Sequence, residues 1–247
     1  MSVIDLHSHI VPAVDDGAGT NSEAAEMLHR MSCKLEVDST IVFTPHFSCS
    51  MHRRVVEARR RKSLQFQSRV EEKYTPGFSF LTAGELLIQG WSLKYLEELR
   101  YPGTGWVLVE FDSRVTWIET LIQLKRIIRM GYSPLIAHPE RYTWCRRKKE
   151  RLIKLSRMGC GVIVSARSFR LKKFATAARE LLREGLSHAL CSDAHSPQDF
   201  ILDETLKKKT EEFSVIPWHV LTREMPGMIL GDIKLPELPL LQQRESG

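Results

Sequence analysis

Strand-like and helical stretches alternate along this chain from end to end, and that alternation predicts an α/β fold with parallel strands. Three observations carry the prediction. Seven short runs rich in apolar and β-branched residues are separated by longer stretches with helical spacing. Glycine follows several of those stretches at the position of a helix C-cap: Gly131 after Met130, Gly159 after Met158 and Gly185 after Glu184. No compositional break divides the 247 residues, so 1–247 reads as a single domain. Alternating strand and helix implies right-handed crossovers between parallel strands. Seven strands then predict a closed or nearly closed barrel, with a doubly wound open sheet as the main alternative.

In order, the first strand is expected over 3–7. It is followed by a helix that Thr20 and Glu23 announce by capping-box spacing. The second strand, 40–44, precedes a charged helical run over about 52–73. Strands at 78–83 and 106–110 follow, then a helix over 116–130 and a strand over 134–138. A helix over 148–158 leads to the strand 161–165, and a helix over 173–184 leads to the last strand, 188–192. A final helix is expected over 198–212. The segment 213–247 holds Pro217, Pro226, Pro236 and Pro239 and reads as a tail that wraps the surface or is partly mobile.

Composition excludes several classes. With 43% hydrophobic and 27% charged residues the chain can bury a sizeable core, which rules out a disordered or collagen-like polypeptide. The five cysteines, Cys33, Cys49, Cys145, Cys160 and Cys191, are scattered with no Cys-x-x-Cys pair. That argues for reduced thiols in a cytoplasm-like compartment and against a thiolate zinc site. No apolar run approaches the ~20 residues that span a bilayer, and the acid and histidines of MSVIDLHSHI are unlike a signal peptide. A soluble, cytoplasmic protein is expected. The net charge of +6 suits an anionic substrate, nucleic acid or an acidic partner without choosing among them.

The chemistry is written at the C-terminal ends of the expected strands. The first ends in Asp5-Leu6-His7-Ser8-His9, with His7 and His9 spaced to share a face of an extended chain. The second ends in Thr44-Pro45-His46, the third runs into Gly84-Glu85 and the fourth ends at Glu110. The fifth ends at His138 and the seventh in Asp193-Ala194-His195. With Asp16 on the first loop, five of the nine histidines and four acids gather at the rim where parallel α/β folds place their chemistry. A lone histidine is more often structural, and His29, His52, His188 and His219 take that reading. Five at one rim argue for metal. Imidazole with carboxylate suits Zn, Mn or Fe. Nine ligands exceed what one ion needs, so two or three ions would share them, with Glu85 as a natural bridge. Such a cluster attracts an anion and acidifies bound water.

These residues resemble a known family. His7-Ser8-His9, Thr44-Pro45-His46, Glu85, Glu110, His138-Pro139-Glu140-Arg141-Tyr142 and Ser192-Asp193-Ala194-His195 are similar to the motifs of the polymerase and histidinol phosphatase (PHP) superfamily. Asp15-Asp16-Gly17 and the chain length resemble its bacterial protein-tyrosine phosphatases, encoded with capsule and exopolysaccharide assembly proteins. The similarity covers about residues 3–200. It implies a distorted (β/α)7 TIM-like barrel, the PHP fold, holding two to three divalent ions, manganese first, with iron or zinc as alternatives. It also implies hydrolysis of phosphotyrosine on the tail of a partner tyrosine autokinase. By motif, His7, His9, Asp16, His46, Glu85, Glu110, His138, Asp193 and His195 become metal ligands, and Arg141 becomes a phosphate-binding side chain. The family often has a second phosphate-binding arginine just after the last Asp-x-His, where this chain reads Ser196-Pro197-Gln198-Asp199-Phe200. Arg167, on the loop after the sixth strand, is the expected substitute.

A rival signal fails. Cys145 and Arg151 have the Cys-x5-Arg spacing of thiol phosphatases, but the residues between are Arg-Arg-Lys-Lys-Glu, without a glycine to curl amides around a phosphate. The basic runs, at Arg53-Arg54, Arg59–Lys62, Arg146–Lys149, Lys172-Lys173 and Lys207–Lys209, read as solvated helix faces. The stretch 47–61 is the exception, because it begins at the rim and could dock an acidic phosphorylated peptide. Other classes remain open: a small-molecule phosphatase of the histidinol-phosphate type, a PHP-type nuclease and a non-catalytic metal-stabilised module. The nuclease is disfavoured because no nucleic-acid module is appended and the basic runs lack interleaved aromatics.

Overall fold

A computed structural model describes residues 2–74, 77–90, 93–199 and 202–240. In chain order the elements are β1 (Ile4–Ser8), α1 (Asn21–Lys34), β2 (Ser39–Phe43), β3 (His46–Ser48), α2 (Arg53–Tyr74), β4 (Phe78–Thr82) and β5 (Glu85–Leu87). Next come α3 (Leu96–Leu99), β6 (Trp106–Glu110), α4 (Trp117–Arg129), β7 (Ser133–Ala137), α5 (Thr143–Arg147), α6 (Arg151–Arg157), β8 (Gly161–Ser165), α7 (Lys172–Arg183) and β9 (Ala189–Cys191). The helices α8 (Glu204–Glu211) and α9 (Met225–Leu230) follow. Among the described residues no helix is long and apolar enough to cross a membrane.

All strand pairs are parallel. One sheet runs β1-β2-β4 and the other β3-β5-β6-β7-β8-β9. The expected strands 40–44 and 78–83 form as β2 and β4, and each is followed by a short further strand, β3 or β5, outside the expected set. The chain leaves β2 at Thr44, Pro45 supplies no ladder donor, and pairing resumes at β3 against a different neighbour. Gly84 divides β4 from β5 in the same way: a Cβ there would lie 2.7 Å from Phe47 and 2.8 Å from Leu99. Between β9 and β1 the seam is an isolated parallel bridge, Ser8 with Ala194, backed by amide bonds from Asp193 to His7 and from His9 to Ala194, each 2.9 Å. Seven parallel segments thus follow one another in barrel order, distorted where β2/β3 and β4/β5 break.

Side-chain alternation along the strands makes two cores. Trp106 and Leu108 of β6, Leu135 and Ala137 of β7, Ile163 of β8 and Ala189 and Cys191 of β9 face the interior. Their alternates Val107, Val109, Ile136, Val162, Val164 and Leu190 pack beneath the helices. The capping box at Thr20 and Glu23 forms as expected, and a second at Thr116 and Glu119 starts α4. Gly131, Gly159 and Gly185 take the positive φ that their spacing predicts.

The tail departs from expectation in its helical part. Only part of it wraps the surface: a π-helical turn, Val220–Glu224, and α9 bring Ile229 into the interior core, while 231–240 runs over the barrel end with Leu235 and Leu238 turned inward. The irregular segment beyond α9 is pinned to the N-terminal end of the barrel, where His188 Nε2 meets Pro236 O at 2.9 Å. Ser156 Oγ accepts from Leu238 N at 2.9 Å, and Gly185 O accepts from Leu240 N at 2.8 Å. Apolar interior exposed at that end needs cover, and the tail provides it. Residues 241–247 of the expected tail lie outside the described residues. The last expected helix begins only at Glu204, capped by Asp203, because Ser196 and Asp199 form a turn instead. The helix expected over 148–158 is confined to α6, with α5 preceding it.

Candidate metal centre

Each strand end delivers its residue to one rim. A bulge in β1 advances three positions from Asp5 to Ser8 while β2 advances two from Ile41 to Phe43, which re-aims His7 and the chain beyond it. His46 opens β3, Glu85 opens β5, and Glu110 closes β6 on the same face as Trp106 and Leu108. His138 and Asp193 follow β7 and β9 with φ of +35° and +53°. Such left-handed backbone costs on the order of 1–3 kcal/mol per non-glycine residue, and it persists here because the rim requires it. Gly17 folds the first loop back so tightly that a Cβ would lie 2.1 Å from His9 O.

The nine expected ligands converge. Glu85 Oε2 lies 3.1 Å from His7 Nε2, 3.3 Å from His9 Nε2 and 3.0 Å from His46 Nδ1. Its Oε1 lies 2.8 Å from His138 Nε2. Glu110 Oε1 stands 3.0 Å from His46 Nδ1, and its Oε2 3.8 Å from His138 Nε2. Asp193 Oδ1 is 3.5–3.8 Å from His7, His9 and His195. Asp16, largely exposed, places Oδ1 3.3 Å from His46 Nε2 and 3.6 Å from His195 Nε2. Three overlapping groups of donor atoms result: His9, Asp16, His46 and His195; His7, His9 and Glu85; His46, Glu85 and Glu110.

These donors fit divalent ions. Ligands about 2.1 Å from a tetrahedral ion stand about 3.4 Å from one another, the spacing found here. Glu85 Oε2, Asp193 Oδ1 and His46 Nδ1 are buried without a hydrogen-bond partner among the described residues. Buried carboxylate oxygens and imidazoles left in that state are costly unless a cation satisfies them.

Electrostatics agrees. Burial opposes charge on Glu85, yet the imidazoles of His7 and His46 and the contact with His138 hold its carboxyl well below the usual range. Asp193 is likewise held low against burial by Arg141, His7 and His138. Burial works against the imidazolium of His9, but Asp15 and Glu85 outweigh it and raise it to about 9. Glu85 and Glu110 do the same for His46, raised to about 12 against its burial. Burial, together with the charge of His9, lowers His195 to about 4. Anionic carboxylates among imidazoles that take up protons are the metal-free form of a cation site.

A second layer holds the first. Asp15 Oδ2 lies 2.8 Å from His9 Nδ1 and accepts from His46 N at 2.9 Å, while Oδ1 accepts from Gly17 N at 3.1 Å. His195 directs Nδ1 to its neighbour's carbonyl, Asp193 O, at 2.9 Å, which leaves Nε2 for the centre. Buried Asp5 accepts from Ser192 N at 2.9 Å, and Glu140 accepts from Ser165 N at 3.1 Å and from Ser168 Oγ at 2.7 Å. No role for Asp15, Asp5 or Glu140 follows from the sequence alone. The adjacent acids in Asp15-Asp16-Gly17 were the one available signal.

Arg141 donates to Asp193 and, at 3.3 Å, to Ser165 Oγ; its Nε is buried without an acceptor. Arg167 stands beside Asp199, Nε to Oδ2 3.3 Å, and Asp199 also accepts from His195 N at 3.4 Å. The other histidines take their ordinary roles: His29, His52 and His219 are exposed, and His188 is buried at the opposite end. Cys145 is buried, and burial pushes its thiol far up, so it offers no thiolate.

Residues 3–201 match the family described as capsular polysaccharide synthesis, CpsB/CapC. The chain is 31% identical over 249 residues to the tyrosine-protein phosphatase YwqE of Bacillus subtilis, covering 94% of this chain and 91% of that one. It is 29% identical over 208 residues to the tyrosine-protein phosphatase CpsB of Streptococcus agalactiae, covering 78% and 83%. Among solved structures it is similar to one from the study of YwqE from Bacillus subtilis and CpsB from Streptococcus pneumoniae, described as unique metal-dependent tyrosine phosphatases. There the TM-score is 0.73 at 25% identity, over 96% of this chain and 98% of that one. A histidinol phosphate phosphatase from Lactococcus lactis shares the fold, with a TM-score of 0.51 at 14% identity, over 85% and 94%.

Proposed function

The chain belongs to the CpsB/CapC family of capsular polysaccharide synthesis, and on that premise we propose that it is a metal-dependent protein-tyrosine phosphatase. The observation that carries the reading is the meeting of Glu85 with His7, His9, His46 and His138, with Arg141 at the edge. In this reading His7, His9, Asp16, His46, Glu85, Glu110, His138, Asp193 and His195 hold two to three divalent ions, manganese first. The whole chain is one domain, working in the cytoplasm on the phosphotyrosine-bearing tail of a tyrosine autokinase that regulates capsule or exopolysaccharide synthesis.

Bound divalent ions supply Lewis acidity toward the phosphoryl oxygens and acidify water. The chain's own residues do the rest. Phosphoryl transfer through a loose transition state needs positioning and charge neutralisation more than a strong base. Glu85, with two oxygens aimed at four imidazoles, fixes the spacing of the donors. Arg141 is tethered through Nη2 to Asp193 and Ser165, so Nε remains to donate to an equatorial phosphoryl oxygen. Arg167, steadied by Asp199, supplies the second guanidinium from the neighbouring loop. A tyrosyl leaving group, with a phenol pKa of about 10, demands less proton donation than an alkoxide.

The test is hydrolysis of a phosphotyrosine peptide and of histidinol phosphate side by side, on protein stripped of metal and re-supplied with Mn²⁺, with His138→Ala as control. Mn-dependent turnover of the peptide, lost in the variant, is expected. Turnover of histidinol phosphate alone, or of neither, would overturn the proposal.

A further inference from the structure

A groove of about 520 Å³ opens between the connections that follow β6 and β7, the first leaving from Glu110 and the second beginning at His138. Its charged lining consists of Arg114, Arg147, Lys148 and Arg151, with no carboxylate; Trp117 and Trp144 form its aromatic wall. Thr143 ties the two connections together through Ser113 O, with its amide at 3.4 Å and its hydroxyl at 3.3 Å.

The basic run 146–149 divides here. Arg146 turns inward to the carbonyls of Glu140, at 3.2 Å, and Arg141. Lys149 pairs with Glu180 and Glu184. Arg147 and Lys148 are exposed and have no ion-pair partner among the described residues. Arg151 lies over the Trp117 ring at 5.0 Å, and the buried Trp144 indole N–H has no acceptor among the described residues. Arg114 is paired with Asp112 at 3.2 Å, so the unneutralised charge at the aromatic wall is that of Arg147 and Lys148, and such charge is an electrostatic footprint for an anion.

The groove is joined to the metal centre by ring contacts. From His138 the centroids step 6.0 Å to Tyr142, 5.8 Å to Trp144 and 5.3 Å to Trp117. Trp117 therefore lies within about 17 Å of His138, the span of about five residues of extended chain.

We propose that this groove docks an acidic segment of the substrate polypeptide, with carboxylates about three to five residues from the phosphotyrosine being hydrolysed. The proposal rests on the tyrosine-phosphatase reading and adds a specificity element to it. Arg147 and Lys148 are exposed, whereas a phosphate cup draws on buried donors, so dispersed carboxylates are the matching chemistry. Exposed pairs contribute little each but act together in affinity and encounter.

The experiment uses the whole enzyme, the double variant Arg147→Glu/Lys148→Glu, and three phosphotyrosine peptides. Their flanks are neutral, glutamate-rich, or carry a second phosphotyrosine four residues away. The glutamate peptide is expected to have about tenfold lower KM than the neutral one at low salt. The variant should erase that advantage while kcat and hydrolysis of a small aryl phosphate stay unchanged. Equal KM values for the neutral and glutamate peptides would overturn the proposal, as would a variant that lowers all activities together. A preference for the second phosphotyrosine without one for glutamate overturns the carboxylate assignment. Displacement of a bound single-stranded oligonucleotide by the double substitution, with peptide KM unmoved, would reassign the groove to nucleic acid. If wild-type enzyme hydrolyses no phosphotyrosine peptide, the parent reading fails. Fluorescence anisotropy of the unphosphorylated glutamate peptide on wild type and variant then still decides the groove.

Discussion

Asp15 Oδ2 stands 2.8 Å from Nδ1 of His9, so the acid that precedes the proposed ligand Asp16 orients an imidazole instead of facing the centre itself. With Nδ1 committed to that carboxylate, Nε2 faces Glu85 and the other donors. The pair settles which nitrogen of His9 is offered to an ion.

Replacing Asp15 by Asn removes the carboxylate and offers an amide that can donate to Nδ1, which reverses the tautomer. Divalent-ion affinity is expected to fall 10–100-fold, as for other outer carboxylates that orient ligand histidines. Isothermal titration of the metal-stripped variant checks this, with circular dichroism as the control for folding. Unchanged affinity would show that Asp15 serves only the loop.

His188 gives a prediction about acid stability. It is buried, accepts from Val162 N at 3.1 Å and donates Nε2–H to Pro236 O at 2.9 Å, and burial lowers it to about 4. The unfolded chain takes up a proton at the ordinary value of 6.5 while the native one resists. Stability is therefore fully present above about pH 6.5 and is lost as pH falls toward 4, by at most about 3 kcal/mol. Urea unfolding from pH 7 to pH 4 should show a steeper loss for wild type than for His188→Gln. Parallel curves would sink the assignment.

Ile229 plugs the barrel's N-terminal end and is fully buried. Ile229→Ala should cost about 2–5 kcal/mol, visible as a lower midpoint in chemical denaturation. Metal content of the folded protein should stay unchanged, because the plug lies at the end away from the centre. A cost below about 0.5 kcal/mol would mean that the segment merely covers the surface.

Arg167→Ala should lower kcat/KM on phosphotyrosine peptide by about 10–100-fold, the loss of one charge-assisted contact to the transferring group. Asp199→Ala should produce a smaller loss in the same direction, because Arg167 loses its tether at 3.3 Å. Activity unchanged in Arg167→Ala would remove it from the phosphate site.

Much of the candidate centre is legible in the sequence because its signals are local. His7 with His9 and Asp193 with His195 share a spacing of two, and His46, Glu85, Glu110 and His138 sit where strand pattern gives way to loop. Strands 106–110 and 161–165 are found with their expected bounds for the same reason: apolar alternation is a property of the segment itself. The breaks at Pro45 and Gly84 are different. They depend on which neighbour each half pairs with, which the segment does not contain.

What the sequence by itself determined was the kind of fold and the set of groups at the rim, because both follow from short-range periodicity and the chemistry of side chains. Tertiary structure alone decided which acid of Asp15-Asp16 faces the centre and that the tail holding Ile229 and Leu235 closes the barrel. It also decided that Lys149 pairs with Glu180 and Glu184 and that Arg146 turns to backbone carbonyls, while Arg147 and Lys148 have no ion-pair partner among the described residues. The decisive partners are often far away in the chain, such as His46 for Asp15, Glu180 and Glu184 for Lys149, or Pro236 for His188. Burial and pairing of that kind arise only when distant segments meet, so no window of sequence records them.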